Sequence, residues 1–143
     1  MQKKIYILGG YQTDFAQNWS RGKLDLFDVF KDTVHKGLHA VNLEPKDVEV
    51  AHIGNFTAEL FCNQGHLGGF FASSDPEFFK GIPSSRHEAA CASGSIATLA
   101  ATAELELGRY GLAAVIGIEQ MKNVPPEVAA NNIGGPAMWS GHE

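Results

Sequence analysis

The segment at residues 87–97, His-Glu-Ala-Ala-Cys-Ala-Ser-Gly-Ser-Ile-Ala, places one cysteine among small residues. Cys91 stands where a predicted strand gives way to a predicted helix. The N-terminus of a helix favours thiolate over thiol, and small neighbours leave backbone N–H groups open to a carbonyl oxygen. These features fit a nucleophile that forms a covalent intermediate. Because free cysteine is also among the most buried residue types, a packed core thiol stays as the alternative on these grounds.

Two other patterns suggest chemistry but do not support a site. His35 and His39 are four residues apart on a predicted helix, which is a spacing that metal ligands use. No third ligand stands near them, so a solvated helix face is the better interpretation. Gly9 and Gly10 follow an apolar run, but the G-x-G-x-x-G fingerprint of dinucleotide binding is absent. We therefore predict neither a metal site nor a nicotinamide site.

The composition is that of an ordinary globular chain of 143 residues, with 44% hydrophobic residues, 19% charged residues and a net charge of −5. The absence of a basic block argues against nucleic acid as a partner. No apolar stretch approaches the about 18 residues of a membrane span, and the run at residues 5–8 is too short for a signal peptide. The two cysteines allow one disulfide but no disulfide framework. We expect a cytoplasmic protein without a membrane partner.

The elements that must position Cys91 alternate along the chain. Apolar runs predict strands at residues 4–9, 48–54, 84–90 and 112–119, and helical periodicity predicts helices at 24–43, 60–73 and 91–108. The order βαβαβαβ predicts an α/β fold with a mostly parallel sheet. The last strand is nearly all apolar, which is typical of a strand buried on both faces. Residues 1–120 are the predicted, incomplete α/β domain, and 121–143 are predicted to begin an irregular connection.

Two of the helices have a predicted apolar face. In the first, Asp25 and Asp28 are placed as a capping box, and the apolar positions recur every four residues at Leu26, Phe30, Val34 and Leu38. In the helix after Cys91, the residues predicted to share a face are Ile96, Leu99, Ala100, Ala103 and Leu107.

The segment HEAACASGSIA resembles the nucleophile segment of the thiolase family. Three further strings, KIYILGGYQTDF, LEPKDVEVAHIGNF and AAVIGIEQM, resemble the family's opening strand and loop, second strand and fourth strand. One departure is that Gly117-Ile118-Glu119-Gln120-Met121 has a single glycine where the family's Gly-Gly-x-Glu-x-Met string has two. The resemblance covers about the whole chain. It is nearest to the acetyl-CoA acetyltransferase and sterol-carrier-protein thiolase-like subgroup.

This resemblance implies the N-terminal portion of a thiolase-like layered fold. It also implies an acyltransferase that cleaves or forms 3-ketoacyl-CoA thioesters through an acyl-cysteine on Cys91. The N–H group of Cys91 would donate to the oxyanion. Candidate substrate-binding residues are His66, for which a packed loop histidine is the alternative, and the small residues Ser93 and Gly94. Coenzyme A would be a cosubstrate, and no covalently bound cofactor is expected.

The resemblance also implies partners. A homodimer or a dimer of dimers is expected, in which the strand of His87 and Glu88 pairs across the two-fold axis. An interface role for these two residues therefore stands beside a role in orienting the corner at Cys91. A small zinc-ribbon, OB-fold partner protein is implied by analogy alone. The phenylalanines between residues 56 and 79 are predicted to pack in the core and interface rather than to line an aromatic substrate pocket.

The family's Gly-His-Pro and Cys-x-Gly motifs are absent from these residues. The nearest strings, Gly65-His66-Leu67 and Gly141-His142-Glu143, lack the proline. We therefore expect the chain to be the front portion of a thiolase-like protein, with no turnover in isolation. Two alternatives stay open. One is another condensing enzyme of the same fold, such as a ketoacyl or hydroxymethylglutaryl-CoA synthase, and the other is a non-catalytic thiolase-like subunit.

Overall fold

A computed structural model describes residues 3–138 of the chain, so the string Gly141-His142-Glu143 lies outside the described residues. Its centre is a three-stranded sheet formed by β1 (Val50–Gly54), β2 (Ser84–His87) and β3 (Ala113–Gly117). The strand order is β2-β1-β3, and both pairings are parallel. The predicted α/β fold with a mostly parallel sheet is therefore confirmed.

Six helices are formed by residues 3–138. They are α1 (Leu26–Ala40), α2 (Ala58–Cys62), α3 (Leu67–Ser74), α4 (Pro76–Phe79), α5 (Ser93–Glu106) and α6 (Pro126–Gly134). Two short 3-10 turns, Pro45–Asp47 and Ala90–Ala92, precede β1 and α5. None of the helices between residues 3 and 138 has the length and apolarity that a membrane span requires.

Helix α1 forms as its sequence predicts. Asp25 accepts from the N–H of Asp28 at 2.8 Å, and Asp28 accepts from the N–H of Asp25 at 3.1 Å. This capping box satisfies N–H groups that have no partner within the helix. The four residues predicted for the apolar stripe are all buried, namely Leu26, Phe30, Val34 and Leu38. Asp25 and the apolar period thus fix both the start of α1 and the face that it buries.

The core lies between α1, the helices after β1, and the sheet. All five residues of β1 are buried. Phe71 and Phe79 are fully buried and stack with ring centroids 4.0 Å apart. The predicted core packing of the phenylalanines is confirmed for these two and for Phe61, whereas Phe78 is 40% exposed.

The strand predicted at residues 4–9 is wrong. Residues 3–10 have no regular secondary structure and pair with no strand of the described sheet. Tyr6, Ile7 and Leu8 are 73%, 90% and 60% exposed. Their apolar, β-branched composition fits a strand, but a strand also needs a neighbour that supplies the hydrogen-bond ladder, and composition does not reveal that neighbour.

The predicted helix at 60–73 and the predicted irregular segment after Glu119 also need correction. The single helix predicted at 60–73 is divided into α2 and α3, because Asn63 adopts a left-handed conformation with φ +52° and ends α2. The irregular segment predicted after Glu119 contains α6, which begins with Pro126 at its first position. Proline is favoured at that position because its fixed φ suits a helix start. This start signal was present in the sequence.

The apolar face predicted for α5 is wrong. The buried residues of α5 are Ser93, Ala97 and Ala101, while Ile96, Leu99 and Leu107 are 39%, 64% and 77% exposed. The helix lies so close to β1 that only small side chains fit between them. The prediction that the last strand is buried on both faces is wrong too. Strand β3 is at an edge of the described sheet, and Ile116 is its one buried residue.

Candidate active site

Helix α5 begins directly against the end of β1. A Cβ added at Gly54 would lie 2.8 Å from both the Cα and the N atom of Gly94, and 2.9 Å from the carbonyl carbon of Ser93. Such distances are closer than van der Waals contact allows. The missing side chain of Gly54 therefore lets the first turn of α5 approach the strand backbone. This approach brings the segment around Cys91 to the carboxyl edge of the sheet, where α/β proteins bind ligands.

The residues next to Cys91 are fixed by local hydrogen bonds. Ala90 has a φ of +48°, which is rare for a residue with a Cβ. Its N–H donates to Glu88 Oε1 at 2.6 Å, and its carbonyl accepts from the Ser93 hydroxyl at 2.7 Å. Ser93 Oγ also accepts from the N–H of Ala89 at 3.0 Å. None of these bonds uses the N–H of Cys91. Backbone strain of this kind concentrates at functional sites.

Cys91 is exposed and lines a cavity of about 620 Å³. It is therefore not a packed core thiol. Ser93 and Gly94 line the same cavity. The lining is mostly apolar, and its large side chains are Tyr11, Phe15, Trp19, Val29, Phe56, Ile116, Ile118 and Met121. The volume falls within the range typical of small-molecule sites.

His66 lies outside this group of residues. It precedes α3, and its ring lies over Gly69, where an added Cβ would be 2.5 Å from the His66 Cδ2 atom. The substrate-binding role given to His66 stays a prediction that the cavity does not support. The structure thus brings together three of the four sequence candidates, Cys91, Ser93 and Gly94.

Two polar residues that sequence reasoning missed also line the cavity. Asn55 directly follows β1 and is 1% exposed, and Glu119 comes two residues after the end of β3. Asn55 Nδ2 donates to the carbonyl oxygen of Ile118 at 2.7 Å, which ties the two strand ends together. Their position after adjacent parallel strands was a signal that could have found them.

Cys62 is the other free cysteine, and the disulfide that the composition allows is not formed. Its Sγ donates to Gln120 Oε1 at 3.4 Å. Burial, and then the negative charge of Glu119, raise the pKa of the Cys62 thiol. Cys62 therefore stays protonated at neutral pH and is a poor nucleophile.

A series of side chains in hydrogen-bond contact runs across the sheet from α5 through β1 to β2. His52 is 4% exposed, and its Nε2 lies 3.1 Å from Glu104 Oε2. His52 Nδ1 lies 2.9 Å from Nε2 of His87, which is also 3.0 Å from Ser85 Oγ. Burial, and then the nearby His52, lower the pKa of His87. His87 is half-buried on β2 and contacts His52 and Ser85, whereas the Glu88 side chain accepts from the N–H of Ala90 next to Cys91.

Two curated proteins are similar to this chain, and both are named acetyl-CoA acetyltransferase. The protein of Methanocaldococcus jannaschii is 31% identical over 137 residues, which is 96% of this chain and 34% of the relative. That of Methanothermobacter thermautotrophicus is 28% identical over 122 residues, which is 85% of this chain and 30% of the relative. The chain therefore spans about a third of the length of these relatives.

No protein-family model matches the sequence. The two relatives cover nearly all of the chain, including the segment that carries Cys91, and they share one name. The resemblance to the thiolase family that the sequence predicts is thereby confirmed, through relatives named acetyl-CoA acetyltransferase.

Proposed function

We propose that the protein containing this chain is a thiolase-type acyltransferase and that Cys91 accepts the acyl group. The observation that carries the proposal is the exposure of Cys91 on the wall of a mostly apolar cavity at the carboxyl edge of the sheet. The relatives named acetyl-CoA acetyltransferase support an acyl-CoA thioester as the substrate class. Coenzyme A is then a cosubstrate of the reaction.

In the proposed cleavage, the Cys91 thiolate attacks the keto carbon of a 3-ketoacyl-CoA. The N–H of Cys91 stabilises the oxyanion that forms. The tetrahedral intermediate then breaks the bond between C2 and C3, and the acetyl-CoA carbanion takes up a proton. The thiol of coenzyme A attacks the acyl-cysteine, loses its proton and releases a shortened acyl-CoA with free Cys91. The reverse sequence forms the 3-ketoacyl-CoA.

The base and acid for these proton transfers belong, by the resemblance, to Gly-His-Pro and Cys-x-Gly motifs. These 143 residues contain neither motif. We therefore expect the isolated chain to show no turnover. CoA-dependent cleavage of a 3-ketoacyl-CoA by the purified 143-residue chain would contradict this expectation.

The proposal includes assembly of two copies through β2. Strand β2 is at one edge of the described sheet, so its outer edge is open to another strand. An open edge favours pairing with a second chain, and two-fold pairing is the commonest way to assemble identical chains. A homodimer or dimer of dimers fits this arrangement, and a cytoplasmic location is a separate part of the proposal. The zinc-ribbon, OB-fold partner stays a prediction from analogy.

The test is acylation of the full-length protein with acetyl-CoA and with a longer acyl-CoA, followed by peptide mass spectrometry. We expect an adduct on Cys91 that added coenzyme A removes. The variant Cys91→Ser should take no adduct, and the matched control Cys62→Ala should be acylated like the wild type. A folded wild-type protein without an adduct would refute the proposal and favour a non-catalytic subunit. An adduct that only another acyl thioester removes would favour a different condensing enzyme.

A further inference from the structure

The segment Asn55–Thr57, here called the wall segment, connects β1 to α2. Asn55 and Phe56 line the cavity that contains Cys91. The wall segment has no regular secondary structure of its own. The position of this part of the cavity therefore depends on bonds to other elements.

Glu119 binds two of the three N–H groups of the wall segment, while the third, of Asn55, donates to the carbonyl of His87 at 3.1 Å. Its Oε2 accepts from the N–H of Phe56 at 2.8 Å, and its Oε1 accepts from the N–H of Thr57 at 3.2 Å and from the Thr57 hydroxyl at 3.1 Å. Hydrogen bonds to an ionised carboxylate are about twice as strong as neutral ones. One side chain after β3 thus fixes two consecutive peptide groups after β1.

Arg86 of β2 holds the carbonyl groups of the same segment. Its Nη2 donates to the carbonyl of Phe56 at 2.8 Å, and its Nε donates to that of Asn55 at 3.4 Å. Nη2 also donates to Glu59 Oε2 at 2.9 Å. This ion pair orients the guanidinium, and its hydrogen bond lowers the pKa of Glu59. A carboxylate thus binds two N–H groups of the wall segment, and a guanidinium binds two of its carbonyl groups.

From this geometry we infer that Glu119 and Arg86 are positioning residues for acyl transfer to Cys91. Neither has a hydrogen bond to Cys91 in the described residues, and both bind the wall segment, so the role that we infer is positioning and not proton transfer. Their effect on the reaction is to fix the wall segment against which the acyl group of the substrate lies. A displacement of about 1 Å in such a wall can slow a reaction on the order of 100-fold. The inference rests on the proposed function.

The variant Glu119→Gln tests whether the Glu119 carboxylate positions the wall segment. The amide keeps one acceptor oxygen and replaces the other by an NH₂ group, so at least one N–H of the wall segment loses its acceptor. We expect acylation of Cys91 by acyl-CoA to slow by about 10- to 100-fold. Alkylation of Cys91 by iodoacetamide should stay within about two-fold of wild type, because this small reagent does not need the cavity wall. Glu127→Gln, at an exposed position of α6, is the matched control.

A second pair of variants gives a graded, milder change. Thr57→Val removes one of the three donors to Glu119, whereas Thr57→Ser keeps the hydroxyl and should restore the acylation rate.

The variant Arg86→Lys tests the guanidinium. It keeps the positive charge but loses the planar group that reaches two carbonyls and Glu59. We expect Arg86→Lys to reduce acylation without reducing alkylation, in the same manner as Glu119→Gln.

The ratio of the acylation rate to the alkylation rate decides the outcome in the full-length protein. A lowered ratio in Glu119→Gln, Arg86→Lys and Thr57→Val, with an unchanged ratio in Thr57→Ser and Glu127→Gln, supports the inference. Equal ratios in all five variants, with an acylated wild type, overturn the inference and leave the proposed function intact. A wild-type protein that takes no acyl group would refute both the inference and the proposed function.

Discussion

The substitution Gly54→Ala tests how α5 and Cys91 are placed over the sheet. The added Cβ would meet the Cα and N atoms of Gly94 at 2.8 Å and the carbonyl carbon of Ser93 at 2.9 Å. These are backbone atoms, which cannot move aside as the end of a flexible side chain can. The first turn of α5 must therefore shift away from β1 if alanine is accommodated.

The expected cost follows from the cost of overpacking a core. Inserting a methyl group where no space exists typically costs about 1–3 kcal/mol. In a chain of this size each kcal/mol lowers the melting temperature by about 3 °C. A matched control is Gly117→Ala, because Gly117 is paired with Gly54 in the neighbouring strand and has no atom within 4 Å of an added Cβ. Replacing glycine by alanine restricts the unfolded chain and raises the free energy of unfolding of both variants by about 0.4–1 kcal/mol. The difference in unfolding free energy between the two variants therefore reports the clash alone.

The assay is urea unfolding followed by far-ultraviolet circular dichroism, with the midpoint and slope fitted for the wild type and both variants. Gly54→Ala should unfold at a lower urea concentration than Gly117→Ala, with a difference of about 1–3 kcal/mol. Equal stabilities would refute the close approach of α5 to β1 as the feature that places Cys91.

Three further predictions concern stability. Ala90→Gly should raise the free energy of unfolding by about 1 kcal/mol, because glycine adopts a positive φ without strain. Ala92→Gly, at φ −95°, should instead lower it by about 0.5–1 kcal/mol. His87→Gln should flatten the loss of stability below about pH 6.5, since unfolding frees a histidine of lowered pKa to bind a proton. Phe71→Ala, at a fully buried position, should cost about 3–5 kcal/mol, whereas the half-exposed Phe78→Ala should cost about 0.5 kcal/mol.

Urea unfolding at pH 7 checks the alanine and phenylalanine substitutions, and the same assay from about pH 5 to 8 checks the histidine. Stability of the wild type should rise with pH through the window from the lowered pKa of His87 up to its unfolded value of about 6.5. A pH profile that His87→Gln leaves unchanged, or equal costs for Phe71→Ala and Phe78→Ala, would contradict the corresponding prediction.

The elements that sequence reasoning predicted well are those whose signals are local. Helix α1 carries its cap, its period and its buried face in consecutive residues, and strand β1 is a short, mostly apolar run that is buried throughout. The elements that it misplaced depend on neighbours. Residues 4–9 have the composition of a strand without a paired strand in the described sheet, and α5 buries alanines rather than its largest apolar residues because β1 lies so close.

The candidate site divides in the same way. Cys91, Ser93 and Gly94 were predicted from one stretch of sequence, and they line one cavity. Glu119 and Arg86 were missed as partners of the wall segment because they are 63 and 30 residues away from Phe56. Glu119 follows β3 and Arg86 lies within β2, and nothing in the neighbouring sequence distinguishes a charged residue that binds a distant backbone from one that meets solvent.

The sequence by itself determined the α/β class, the first helix with its cap, and the cysteine that stands among small residues. These features follow from backbone preferences and apolar periodicity, which act over a few residues. Only the tertiary structure decided that Gly54 admits the start of α5, that Cys91 is exposed on a cavity, and that Glu119 and Arg86 hold the wall segment beside it. These depend on atoms brought within about 3 Å by packing, and no local pattern encodes such distances.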